Sequence, residues 1–295
     1  MLDTIHQYFA SLANQGWLPD MFAYGFLVNA FLATLMIGPL LGALGTLVVV
    51  KRLAFLSEAV GHSALTGVSI GILMGEPIDA PWISLFAFSV LFAITLQWVK
   101  GRTTVPYDAL IGVFLAFALA VGAALLMFVA KQVNVHLVEQ VMFGSILTAD
   151  GQDIAILLVM FVLTVGVSFK YSNKAYLTAL SPEIAKSLRV NTKVHDYAFV
   201  LLIALMTVAA VKIIGAILVG ALLLIPAASA RLMAGNLKTM LTLSIIVATS
   251  SGLAGVLLPM YLQWAVPTGP AIILFACVWF VIAIAKFSLT KAASR

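Results

Sequence analysis

Long apolar stretches separated by short polar intervals fill most of this 295-residue chain. Nine stand out, at 21–50, 53–75, 81–99, 107–130, 153–169, 197–211, 213–230, 239–258 and 268–286. A helix of about 20 residues crosses a hydrocarbon layer of roughly 30 Å. The stretches 197–211 and 213–230 are short and meet at Lys212-Ile213, so they are either two spans or one re-entrant hairpin. The pattern therefore predicts an all-α polytopic membrane protein with about eight or nine transmembrane helices.

Three local signals interrupt this pattern. Gly38-Pro39 lies inside the first stretch, and proline removes a helical hydrogen bond, so we expect a break or kink there. Residues 137–148 are apolar but too short to cross, which predicts a re-entrant or interfacial helix. The polar interval 170–196 contains Ser181-Pro182-Glu183, which is typical of a helix start. It predicts an amphipathic segment at about 181–190, which either lies on lipid headgroups or docks to a cytoplasmic subunit.

Composition and charge place nearly the whole chain in a membrane. Hydrophobic residues make up 63% of it and charged residues 9%, against roughly 25% charged in soluble domains. We therefore expect a single transmembrane domain over 1–295. If all nine stretches cross, 14 of the 16 basic residues fall on one side, and the positive-inside rule then puts the N-terminus outside and the C-terminus in the cytoplasm. The net charge of +5 is thus explained by the basic residues on the cytoplasmic side of the membrane and does not indicate a nucleic-acid partner.

The sequence lacks the residues that several kinds of catalytic site require. Cys277 is the one cysteine, so a single chain builds neither a disulfide framework nor a cysteine-rich metal site. The sequence contains no Gly-Lys-Ser/Thr phosphate loop and no His-Glu-x-x-His. We therefore expect a protein that is not an enzyme, with any ATP hydrolysis on a partner.

The second stretch carries an acid and an imidazole four residues apart, Glu58 and His62. This spacing puts both side chains on one helix face. Counted from Arg52, Glu58 lies roughly 9 Å and His62 roughly 15 Å along the helix axis, which puts the histidine near the midplane. Ionisable groups at that depth normally face a bundle interior or a water-filled path, and these two are ligands for divalent metals. A metal path, a hydrogen-bonded brace and a proton relay all fit the pair.

Smaller polar residues extend this face of the helix. Thr66 and Ser69 continue it at helical spacing, which predicts a polar stripe along a translocation path. On a neighbouring ridge, small residues recur every fourth position, at Ser63, Gly67, Gly71 and Gly75. Such a ridge lets another helix approach closely. His6, His136 and His195 are weaker metal-ligand candidates, and we expect them to be solvated or interfacial.

Two longer blocks resemble a known family. The first is LVVVKRLAFLSEAVGHSALTGV at 47–68, with a basic pair, an aromatic residue, an acid and then a histidine four residues on. The second is GAILVGALLLIPAASARL at 215–232, with Pro226 at the end of the apolar run. Both resemble the membrane subunits of ATP-driven zinc and manganese importers, whose fold is similar to that of type II ABC importers for cobalamin and siderophores. Shorter matches are FGSIL at 143–147 and PTGPA at 267–271.

The resemblance implies roles for particular residues. In that family the acid and the histidine belong to the metal path, and the acid is usually aspartate where this chain has Glu58. The main ATPase contact is implied at about 226–238, with 181–190 in support. The coupling residues that it implies are Pro226, Ala227, Ala228 and Arg231. The family often has an aspartate two residues before the proline of the 267–271 match, where this chain has Ala265.

The resemblance also implies an assembly and a cargo. The assembly contains two copies of this chain, cytoplasmic ABC ATPase subunits and an extracytoplasmic metal-binding protein, in a bacterial plasma (inner) membrane. Zn²⁺ or Mn²⁺ is the transported ion, no cofactor is bound permanently, and the partner ATPase uses the ATP. Imidazole favours zinc and carboxylate favours manganese, so the pair leaves the ion open. The alternative function is an ion-coupled secondary metal carrier, while too few zinc ligands disfavour an intramembrane metalloprotease.

Overall fold

The computed structural model describes residues 2–77, 81–129 and 144–293. Within them lie eleven α-helices, and two short 3-10 turns lie at Asp20–Ala23 and Ile146–Thr148. The helices are α1 (Leu2–Asn14), α2 (Gly25–Val50), α3 (Leu56–Leu73), α4 (Trp82–Lys100), α5 (Tyr107–Val129), α6 (Gly151–Leu180), α7 (Pro182–Ser187), α8 (Thr192–Ile214), α9 (Ala216–Met233), α10 (Leu237–Tyr261) and α11 (Thr268–Ala293).

The number of helices that can cross a membrane agrees with the sequence prediction. Eight are long and apolar enough, namely α2, α4, α5, α6, α8, α9, α10 and α11. The eight do not include α3, which is 18 residues long and carries Glu58 and His62. Its inner position explains how it tolerates them, because α3 packs against α4, α5, α8 and α9. The chain is thus a multi-pass membrane protein, and α3 is a ninth helix inside the bundle.

The first apolar stretch forms one continuous helix, so Gly38-Pro39 does not break it, and the other expectation, a kink, stays a prediction. Pro39 lies inside α2, and the helix continues to Val50. The neighbouring helices pack closely on this part of α2. A Cβ added at Gly42 would lie 2.8 Å from the Ser244 carbonyl oxygen of α10, and the Ser244 hydroxyl donates to the Gly42 carbonyl at 2.6 Å. The missing proline N–H therefore costs one backbone bond within a well-packed helix.

The short apolar stretches at 197–211 and 213–230 form two helices, α8 and α9, joined at Gly215. Each of them is long enough to span by itself. Gly215 has a φ of +83°, a left-handed conformation that glycine adopts without strain. The chain reverses direction at this single residue, which explains why almost no polar interval separates the two helices.

Ion pairs mark the two ends of the bundle. At one end Lys51, after α2, donates to Asp196 of α8 at 2.5 Å. At the other end Lys212 of α8 donates to Asp153 of α6 at 2.6 Å. With nine crossing stretches, Lys51 is among the 14 basic residues on the inner side and Lys212 is one of the two on the outer side. The two pairs occupy opposite ends of α8, as that grouping requires, while the orientation of the termini stays a prediction.

The expected re-entrant piece at 137–148 falls partly outside the described residues, as does His136. Its described end inserts into the bundle, where Ile146 is buried beside α2. Gly144, with a φ of +54°, lies so close to Gly215 that an added Cβ would meet the Gly215 nitrogen at 2.2 Å. This segment therefore packs directly on the turn between α8 and α9.

Candidate metal path

Glu58 and His62 lie in the first half of α3, nearer its start than the sequence suggested. Residues 53–55 belong to the turn after α2, so the helix begins at Leu56 and Glu58 is in its first turn. At 1.5 Å per residue, His62 lies about 9 Å from the start of a helix about 27 Å long. The distance of about 15 Å counted from Arg52 treated this turn as helix, and the depth of His62 in the membrane stays a prediction.

The two side chains differ in exposure, and they do not form a hydrogen bond with each other in the described part of the chain. Glu58 is exposed and His62 is half-buried. Nδ1 of His62 is buried and has no hydrogen-bond partner among the described residues. No hydrogen bond joins the pair within the described part of the chain, which disfavours the brace. An unpaired carboxylate and an orphaned imidazole nitrogen on one helix face are instead available to an ion.

Thr66 and Ser69 do not extend an open polar surface in this conformation. Both are fully buried. The Thr66 hydroxyl donates to the Ala118 carbonyl of α5 at 2.9 Å, and the Ser69 hydroxyl donates to the Leu65 carbonyl of its own helix at 2.8 Å. They hold α3 together and against α5, so a role on the path requires α3 and α5 to separate.

The small-residue ridge of α3 lets α4 approach, as predicted. A Cβ added at Gly67 would lie 3.0 Å from the Leu85 Cα of α4. One added at Gly71 would lie 3.0 Å from the Pro81 Cβ, just before that helix. Because α3 is held closely on this side, the positions of Glu58 and His62 are set by the packing of the bundle.

One chain offers an incomplete ligand set. Within residues 2–77, 81–129 and 144–293, no group of three or more His, Cys, Asp or Glu side chains could hold a metal. Zinc usually takes four ligands, so two leave the site open. Waters or a second copy of the chain can supply the rest, and an open site releases its ion readily. Ala265, where the resemblance suggested an acid, is exposed in the loop between α10 and α11.

The four expected coupling residues do not form one exposed surface. Pro226 lies inside α9 and does not end it, and both Pro226 and Ala227 are buried. Ala228 is half-buried, and Arg231 is exposed, with its guanidinium 3.5 Å from the Val49 carbonyl. The exposed part of 226–238 therefore begins at Arg231.

The other expected contact, at 181–190, is a short exposed helix. The segment forms α7, in which Ala185 is fully buried while Ile184 is 53% exposed. Leu188, just after the helix, is 62% exposed. Two large apolar side chains thus face outward at this point, which is what a docked partner or a lipid surface would cover.

Comparisons with known proteins agree with these observations. The model of the ABC 3 transport family matches residues 23–287. The manganese import system permease protein ScaB of Streptococcus gordonii is 26% identical over 268 residues, which is 91% of this chain and 94% of that protein. The high-affinity zinc uptake system membrane protein ZnuB of Haemophilus influenzae is 26% identical over 260 residues, which is 88% of this chain and 97% of that protein.

A solved structure shares the fold. PsaBC from Streptococcus pneumoniae, in complex with Fab, superposes with a TM-score of 0.77 at 24% identity, over 94% of both chains. This confirms the expected all-helical bundle. Because the family model covers nearly the whole chain, the protein is a membrane permease subunit that belongs to the ABC 3 transport family.

Proposed function

We propose that this permease takes up a divalent transition-metal ion, zinc or manganese, through the face of α3 that carries Glu58 and His62. One observation carries the proposal: an exposed acid and an imidazole with an orphaned buried nitrogen lie four residues apart in the helix packed between α4, α5, α8 and α9. The names of the manganese and zinc relatives support this class of cargo.

The proposed assembly is a homodimer with cytoplasmic ABC ATPase subunits and an extracytoplasmic metal-binding protein, in a bacterial plasma membrane. Two copies would supply two Glu58/His62 pairs to one path, which would complete the ligand set. The N-terminus lies outside and the C-terminus inside. The concentration of basic residues on one side supports this orientation.

The mechanism follows from the incomplete site. The delivery protein releases the ion at the outer mouth, and the Glu58 carboxylate and neutral His62 hold it transiently. ATP binding moves the permease through its cytoplasmic surface, so that the α3 face is exposed alternately to each side. Thr66 and Ser69 would join the path when α3 and α5 separate.

The test of the path is ATP-dependent ion uptake by proteoliposomes that contain the permease, its ATPase and its delivery protein. Glu58→Gln and His62→Gln should each lower uptake at least about tenfold, because loss of even a residue that only orients a metal ligand typically costs about 10–100-fold. Asp108→Asn is the matched control, because Asp108 is also an exposed acid in the first turn of a membrane helix. Normal uptake by a folded Glu58→Gln, His62→Gln double variant would exclude this path.

Uptake assays with the same vesicles distinguish ATP-driven import from ion-coupled secondary transport. An ATP-driven importer requires the ATPase and hydrolysable ATP, whereas an ion-coupled secondary carrier would move the metal with the permease alone under a proton gradient. Competition between radioactive zinc and manganese in the complete system then assigns the ion.

The ATPase contact is tested with charge-reversing and charge-inserting variants. Leu188→Glu beside α7 and Lys238→Glu after α9 change the two exposed candidate surfaces, and Lys286→Glu on α11 is the control. The variant that loses copurification with the ATPase identifies the main contact. We expect 181–190 to contribute more than the sequence suggested, because Ile184 and Leu188 are exposed while Pro226 and Ala227 are buried.

A further inference from the structure

A large cavity lies between α2, α6 and α8, away from the face of α3 that carries Glu58. Its volume is about 690 Å³, and Leu241 and Ile245 of α10 contribute to its wall. On α2 it extends from Pro39 to Leu47, which is the half of that helix next to Lys51. The cavity therefore lies in the membrane leaflet beside the end of the bundle that holds the Lys51–Asp196 pair.

The lining of this cavity changes from apolar to polar toward that end. Its apolar part includes Leu40, Leu44, Phe161, Leu202 and Leu205. The polar residues at its lip are Tyr171, Tyr176 and His195. Only one of the two ring nitrogens of His195 has a hydrogen-bond partner among the described residues. Nδ1 pairs with the Asn191 carbonyl at 2.9 Å, while Nε2 is buried without one.

Three lysines lie near the polar end of the cavity, two toward the end of α6 and one at the start of α8. Lys170, Lys174 and Lys193 are exposed, and each is adjacent in sequence to a residue that lines the cavity. None of them forms an ion pair within the part of the chain that the structure describes, and the nearby Asp196 is already paired with Lys51. Three positive charges thus lie in the segments next to the polar end of an apolar cavity.

We propose that the cavity binds an anionic phospholipid, with an acyl chain inside it and the phosphate on the lysines and His195. An apolar cavity within the hydrocarbon layer is filled by the surrounding solvent, which is lipid. Basic residues at the membrane surface add attraction for anionic headgroups. The metal cargo does not fit, because the described residues that line the cavity include no carboxylate. The site is independent of the Glu58/His62 path.

Native mass spectrometry of the purified full chain, given equal amounts of phosphatidylglycerol and phosphatidylcholine with the same acyl chains, tests the proposal. Phosphatidylglycerol should be retained preferentially. Lys174→Gln with Lys193→Gln should reduce that preference by roughly fivefold for each lysine removed. Arg102→Gln with Lys286→Gln removes the same charge elsewhere on the protein and should leave it unchanged.

A second pair of variants tests the cavity itself. Ala198 lines it, so Ala198→Trp should displace the retained lipid, whereas Ala120→Trp on the exposed side of α5 should not. Equal retention of both lipids by the native chain would overturn the proposal, as would unchanged retention by Ala198→Trp. If Ala198→Trp instead changes the oligomer mass with lipid retention intact, the cavity is a contact between copies and the proposal is wrong.

Discussion

Lys212 of α8 donates to Asp153 of α6 at 2.6 Å, and its ammonium also lies 5.1 Å from the ring centroid of Trp82 at the start of α4. The pair is largely withdrawn from solvent, with side-chain exposures of 19% and 6%. Asp153 also takes part in the capping box at the start of α6. One ammonium therefore ties three helices together beside the turn at Gly215.

Removing the lysine from this pair should destabilise the protein. Lys212→Met leaves a buried carboxylate without its counter-charge, and breaking a buried pair in this way costs about 3–5 kcal/mol. Thermal unfolding in detergent should show a clear decrease in melting temperature. Adding Asp153→Asn, which retains the capping oxygen, should recover much of the loss. Lys238→Met, at an exposed position, is the control, and a Lys212→Met protein as stable as that control would contradict the role of the pair.

Gly144 should not accept a side chain. Its positive φ costs an L-residue roughly 1–2 kcal/mol, and a Cβ there would overlap the backbone at Gly215. Gly144→Ala should therefore lower thermal stability and metal uptake together, since the segment packs on the turn between α8 and α9. Gly112→Ala is the matched control, because nothing lies within 4 Å of its added Cβ, and alanine in an exposed helix should stabilise by up to about 1 kcal/mol. Equal melting temperatures for the two variants would disprove the close contact.

The packing of α2 on α9 depends on Gly45. A Cβ at this position would lie 2.0 Å from the Leu223 carbonyl oxygen, so the two helices must separate to admit it. We expect Gly45→Ala to lower the melting temperature and to weaken assembly with the ATPase, because α9 leads into one proposed coupling surface. Gly220→Ala, in open space on α9, should behave as the native chain does.

The proposed site also predicts how ion preference can be altered. His62→Asp replaces the imidazole with a second carboxylate, and oxygen ligands suit manganese better than zinc. Uptake by this variant should move toward manganese in competition assays, while Glu58→Asp should leave the preference as it is. An unchanged ratio of the two ions in His62→Asp would mean that the histidine does not contact the ion.

The membrane fold could be predicted from the sequence because bilayer crossing depends on local properties, namely length and apolar content. The positions of Glu58 and His62 on one helix face follow from helical spacing alone. The small ridge at Gly67 and Gly71 indicated the close approach of another helix, which in the structure is α4. Expectations that depended on packing were less accurate. Pro39 was expected to break or kink α2, and a helix held on several sides loses one hydrogen bond there without being broken.

The sequence by itself determined the class of the protein, its helices, and the acid and imidazole that could hold an ion, since these depend on residue type and spacing. The tertiary structure decided which polar groups have a hydrogen-bond or ion-pair partner. Thr66 is bonded to α5 while His62 Nδ1 has no partner, and Lys212 pairs with an aspartate 59 positions away. Such pairings, like the contact of Gly144 with Gly215, join segments far apart in the chain, so no local pattern encodes them. Only the packing of the helices brings these groups together.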